Sequence, residues 1–106
     1  MAKATSEARI SNAILNPLLN DIEEITGVTR HQVLGNRRYD HYAFARFMVY
    51  LALREHEHGY SLAVIGRTMN RDHGAVIHGI RNIKARAKLD KRVRKLLGRL
   101  KKKGWL

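Results

Sequence analysis

At 106 residues, with 21 Lys and Arg against 9 Asp and Glu and a formal charge of +12, the chain has the size of one small, strongly basic domain. Zero cysteines exclude a disulfide scaffold and cysteine-based zinc sites, and fit a reducing cytoplasm. No apolar run approaches a membrane span and the start, MAKATSEARISNA, lacks a secretory h-region, so a soluble intracellular protein without membrane attachment is expected.

The charge is unevenly placed. Residues 1–26 are slightly acidic, with Lys3 and Arg9 facing Glu7, Asp21, Glu23 and Glu24, whereas residues 84–106 carry eleven basic side chains against Asp90 alone. A one-sided positive field favours polyanions, nucleic acid ahead of anionic membrane.

In chain order, residues 1–15 read as an N-terminal arm that turns helical at Ile10, Ile14 and Leu15. Asn16 can cap a helix that begins at Pro17, where a missing N–H is harmless. The spacing predicts a helix from Pro17 to Thr26 burying Leu18, Leu19, Ile22 and Ile25, with Gly27 as its stop. One longer helix from about Ser6, kinked at Pro17, is the alternative. Thr29-Arg30-His31-Gln32 is a capping box that opens a very short helix through Leu34, ended by Gly35. Asn36-Arg37-Arg38-Tyr39 is a basic loop. Asp40 can cap the next helix, predicted to run to about His58 and to stop at Gly59. Phe44, Phe47, Met48, Leu51 and Ala52 form its apolar face.

The stretch from Ser61 to Lys84, SLAVIGRTMNRDHGAVIHGIRNIK, holds two amphipathic pieces joined at Asn70-Arg71-Asp72. Leu62, Val64, Ile65 and Met69 line the first piece, which Ser61 caps. Val76, Ile77, Ile80 and Ile83 line the second, which Asp72 or His73 opens and which continues to about Lys88. Two short helices and a tight corner describe a helix-turn-helix, whose second helix is a candidate for the DNA major groove. Arg71, Asp72, His73, Gly74 and Ala75 then sit at the entering end. There Arg71 suits guanine or phosphate, Asp72 a cytosine amino group and Ala75 a thymine methyl. His78, Arg81 and Lys84 follow at three-residue steps, placed to track phosphates. Asp90 caps a last helix with Val93, Leu96, Leu97 and Leu100 on one face and cations over much of the rest. That face can pack on the core or form a dimer seam. No strand is predicted, and the fold class is all-α.

Chemistry has little to work with. GxxxxGK[ST] is absent, and Gly66-Arg67-Thr68 falls inside a helix. His56-Glu57-His58 is not HExxH, and His73 and His78 do not share a helix face. No catalytic residue, metal site or cofactor is expected.

At RDHGAVIHGIRNIK the chain meets a known pattern. From about Leu18 to Arg86 it resembles the C-terminal DNA-binding domain, domain IV, of the bacterial chromosomal replication initiator DnaA. The carrying pieces are the basic loop Asn36-Arg37-Arg38, the helix end Val49-Tyr50-Leu51-Ala52, then Ser61-Leu62-Ala63-Val64-Ile65-Gly66, then Arg71-Asp72-His73-Gly74-Ala75-Val76-Ile77-His78-Gly79. The resemblance implies a helical bundle with a Trp-repressor-like helix-turn-helix that binds a short duplex site, the DnaA box. It gives Arg71, Asp72 and His73 the recognition role, and Arg37 and Arg38 a neighbouring minor-groove role. Two departures stand out. Gly74 and Ala75 replace the family's paired hydroxyl residues, and Ala43 occupies the position of its minor-groove arginine, with Arg46 a turn away. The initiator's ATPase and oligomerisation domains do not fit in 106 residues, so a freestanding accessory copy is expected.

The expected division is an arm over 1–15, the DnaA-like domain over 16–89 and a basic helix and tail over 90–106. The expected interface comprises Arg37, Arg38, Arg46, Ser61, Arg67, Arg71, Asp72, His73, Gly74, Ala75, His78, Arg81 and Lys84. The expected function is non-enzymatic recognition of DnaA-box-like duplex DNA in replication control or transcription regulation, in the cytoplasm and on the nucleoid. Host replication proteins are a second class of partner. The alternatives are non-specific nucleic-acid packaging driven by the tail, and a module that binds a replication protein.

Overall fold

The computed structural model describes residues 9–57 and 59–106, and these form six α-helices and no strand. They are α1 (Asn12–Thr26), α2 (Arg30–Leu34), α3 (Asp40–Glu55), α4 (Leu62–Met69), α5 (His73–Leu89) and α6 (Lys91–Lys102). The chain is all-α, as its periodicity predicts. None of these helices is long and apolar enough to cross a membrane.

Most ends lie where the capping chemistry puts them. Gly27 closes α1 with φ of 77°. Thr29 and Gln32 satisfy each other's backbone N–H groups at the start of α2. Ser61 Oγ accepts from the Val64 N–H, and Asp90 accepts from that of Arg92.

Three boundaries differ from expectation. The first helix begins at Asn12, not Pro17: Ser11 caps it, Asn16 lies within it, and Asn16 Oδ1 accepts from Arg30 instead of capping. Pro17 removes one helical N–H, but burial of Leu15 continues the stripe of Leu18, Leu19, Ile22 and Ile25 upstream and outweighs that loss. Of the expected arm, residues 9–15 are described, the last four as the start of α1. The Ile10 N–H donates to Thr68 Oγ1 at 2.9 Å and Arg9 donates to the Arg67 carbonyl, which pins the chain entry to α4. The part of the arm before Arg9 lies outside the described residues. At α3, the cap is Tyr39, whose carbonyl accepts from Tyr42 and Ala43, so Asp40 is the first helical residue rather than the cap. Its carboxylate still suits the positive end of the helix. That helix stops at Glu55, ahead of the expected end at His58, which lies outside the described residues.

The core is organised around α3. Beyond its expected face, Ala45, Val49, Tyr50 and Leu53 are also buried, so the helix is covered on almost all sides. It crosses α5 at Gly79, where an added Cβ would lie 2.5 Å from the Phe47 ring and 2.8 Å from that of Tyr50. The last helix packs inward: Val93 and Leu100 are buried, and Leu96 and Leu97 lie against the core. Lys103 reaches Glu24 of α1 at 2.8 Å, and Trp105 Nε1 donates to Asp21.

Candidate nucleic-acid interface

The α4–α5 pair is joined by a corner with a defined cause. Asn70 adopts the left-handed conformation at φ of 54°, and the Arg71 N–H donates to the Gly66 carbonyl at 2.7 Å. This is the Schellman ending of a helix, with asparagine in the position glycine usually takes. Gly66 makes the closure possible, because a Cβ there would sit 2.5 Å from the Arg71 carbonyl oxygen. Burial of Ile65, Met69, Val76, Ile80 and Ile83 then fixes the two helices on α3.

With those side chains turned inward, the first turn of α5 faces out. Asp72, His73, Gly74 and Ala75 are all exposed. Asp72 precedes the helix without a side-chain capping bond, so its carboxylate is free of helix duty. His73 Nδ1 lies 3.8 Å away. Farther along α5, His78, Arg81 and Lys84 are exposed too, with Lys84 4.0 Å from Glu55.

The basic loop stands beside this turn. Asn36, Arg37 and Arg38 are exposed, and an open groove of about 420 Å³ runs between loop and helix. Asn36 and Arg38 line it from the loop, Ala75 and His78 from α5, and Ala43 and Phe47 from α3. The loop is held there by two guanidinium groups. Arg46 of α3 donates from Nε to the Val33 carbonyl at 2.7 Å, and from Nη2 to those of Gln32 at 3.0 Å and Gly35 at 2.9 Å. Arg71 also donates to Gly35, and to Asn70 at its own corner. Two of the carbonyls that end α2, and that of Gly35 just after it, are thereby satisfied, and the loop is tied to both the long helix and the helix-turn-helix corner.

Two expected interface arginines thus have internal tasks. Arg46, expected to face DNA, is instead buried with 6 % of its surface exposed, although it lines the groove wall. Burial, and then the charge of Arg71, holds its pKa below the usual arginine value. Arg71 is half-buried, with its fork directed at carbonyls. Ser61 spends its hydroxyl on capping α4, while Arg67 is half-buried and accepts from Arg9 through its carbonyl.

Two residues absent from the expected interface lie at or beside this groove. Asn36 lines the groove, and Tyr39 exposes 52 % of its surface at the end of the loop, edge-on to Tyr42. The signal was present in the string NRRY, an aromatic next to paired arginines. An exposed aromatic ring beside cations can stack on bases or sugars.

An exposed helix N-terminus flanked by a cationic loop can insert into one groove of duplex DNA and straddle its backbone. Comparison with curated proteins and with solved structures returned no significant match. Residues 17–83, which hold α2 to α4 with most of α1 and α5, match the family model described as the bacterial DnaA protein helix-turn-helix, and the chain belongs to that DNA-binding family.

Proposed function

We propose that the protein reads duplex DNA at DnaA-box-like sites and acts there in replication control or transcription regulation. The observation that carries this reading is the side-by-side exposure of the α5 entry turn and the Asn36–Arg38 loop across one groove. In this arrangement Asp72, His73, Gly74 and Ala75 meet base edges in the major groove. Arg37 and Arg38 follow the backbone into the adjacent minor groove, and His78, Arg81 and Lys84 contact phosphates. Arg46 and Arg71 act by holding the loop at the correct distance from α5. A nucleoid location and contact with host replication proteins on the same DNA accord with this role.

Gly74 and Ala75 shape the preference. Without side-chain hydroxyls they offer only a close backbone approach and one methyl, and each missing base contact removes about 1–3 kcal/mol of discrimination. The preferred site is therefore expected to be looser than a strict box at the positions those residues face.

The test is a titration of duplexes with and without a DnaA box at fixed, near-physiological salt. Tighter binding to the box duplex supports the reading, and Asp72→Ala and His73→Ala should each narrow the gap by about 1–3 kcal/mol. Equal affinity of the unsubstituted protein for both duplexes would overturn box recognition.

A further inference from the structure

The family match ends at residue 83, and α6 lies beyond it. We infer that the outer face of α6 is a second nucleic-acid surface, which grips the phosphate backbone of another duplex segment while α5 occupies its site. The inference rests on the α5 reading for the first duplex, and on α6 alone for the second.

The helical wheel separates α6 into two halves. Val93, Leu96, Leu97 and Leu100 cluster on one side and are used by the core. Lys91, Lys95 and Lys102 run along the middle of the opposite side at i, i+4 and i+11, about 6 Å apart for the first pair and about 16 Å overall. All three are exposed and have no acidic partner among the described residues. Gly98 completes the line and leaves open space above the backbone. Arg99 and Lys101 flank it, both exposed.

This face is costly in the free protein. Lys91 stands in the first turn, where the helix dipole disfavours a cation, and Lys91 and Lys95 are a like-charged i, i+4 pair. A face serving solubility alone would intersperse acids, as charged protein surfaces usually do. Within Lys91–Lys102 there is no acidic residue. A row of cations that finds no anion among the described residues is complementary to one outside the molecule.

Nucleic acid suits the face better than a lipid surface does. A helix that lies in a membrane interface buries an apolar face there. Here the apolar face is already taken, with Leu100 fully buried and Val93 4 % exposed, and the outward half presents only cations and a glycine. A phosphate backbone requires no apolar insertion and repays each cation by releasing a counterion. The face begins at the far end of α5, about 24 Å along the helix axis from His73, so the two surfaces can serve separate segments.

The experiment uses the full chain, a labelled duplex carrying a DnaA box and an immobilised duplex of unrelated sequence. The wild type should carry the labelled duplex onto the immobilised one. Lys91→Gln/Lys95→Gln/Lys102→Gln should lower that capture by about tenfold or more, keep affinity for the single box duplex within about threefold, and reduce the capture salt slope by about 0.9 per lysine removed. Helical circular dichroism should hold and the melting temperature should hold or rise slightly, since the three side chains touch no partner and the like-charge cost is removed. Capture by the variant equal to the wild type overturns the inference. So does failure of the wild type to capture, or lysine-dependent binding to phosphatidylglycerol vesicles with no second duplex held. Loss of box preference appears in the single-duplex titration, leaving the variant-to-wild-type capture ratio to judge α6 separately.

Discussion

Arg46 enters a nearly closed space between α2 and α3, and what it finds there is carbonyl oxygen rather than carboxylate. A guanidinium can do this because its planar fork presents several donors in fixed directions, whereas an ammonium is a single point of charge. Arg46→Ala leaves the Gln32 and Val33 carbonyls at the α2 exit without that donor, while Gly35 keeps Arg71. Hydrogen bonds to a charged group are worth about 1.5–3 kcal/mol each in net terms, so a loss of at least about 2 kcal/mol is expected in urea unfolding. Arg46→Lys should recover less than half of it. Both variants should also weaken binding to all duplexes, because the Asn36–Arg38 loop loses its anchor. A variant as stable as the wild type would contradict the anchoring role. Sequence reading placed this arginine at the DNA because it lies one turn from Ala43, the position of the family's minor-groove arginine. Nothing local to the string RFMVY reports that α2 would direct its last carbonyls at that point.

Among the elements, α4 and α5 were legible because each of their boundaries has local chemistry: Ser61 as cap, Asn70 able to turn left-handed, Asp72 before the next start. The start of α1 was not. Pro17 and Asn16 satisfy the local rule for a helix start, but so does Ser11, and packing of Leu15 into the core decides between them. The surroundings of α3 were half legible for a similar reason. A stripe at helical spacing identifies one buried face, but Val49, Tyr50 and Leu53 are buried too, Tyr50 against Gly79 of the distant α5. Glycines give a sharp test at this scale. Gly66 closes the corner against the Arg71 carbonyl, so Gly66→Ala must move backbone and should destabilise by about 1–3 kcal/mol. Gly98 has empty space above it, so Gly98→Ala should stabilise by up to about 1 kcal/mol through helix propensity. Thermal melts of the two variants should shift in opposite directions.

For the whole molecule, the opposed charges of its two ends become a fastening. The slightly acidic α1 supplies Asp21 and Glu24, and the basic C-terminus supplies Lys103, 2.8 Å from Glu24 and 3.8 Å from Asp21. Hydrogen bonding to Lys103, and then its charge, holds the Glu24 carboxyl below its ordinary pKa, while Glu24 raises that of Lys103. A carboxylate with a depressed folded pKa contributes stability that is present above its unfolded pKa and lost as pH falls through the folded one. A lysine with a raised folded pKa contributes stability that is present below its unfolded pKa and lost as pH rises through the folded one. The clasp therefore holds across neutral pH and fails at both extremes. Melting temperatures of wild type and Glu24→Gln should differ at pH 7 and converge as the solution is acidified below the carboxylate range. The difference is expected to be small, because both partners are solvent-exposed, and to shrink further in high salt. A gap that stayed constant down to pH 3 would show that Glu24 acts by packing rather than charge. The same fastening bears on α6: it fixes the far end of the helix to α1, so the exposed lysines are presented on a rigid element rather than on a loose tail.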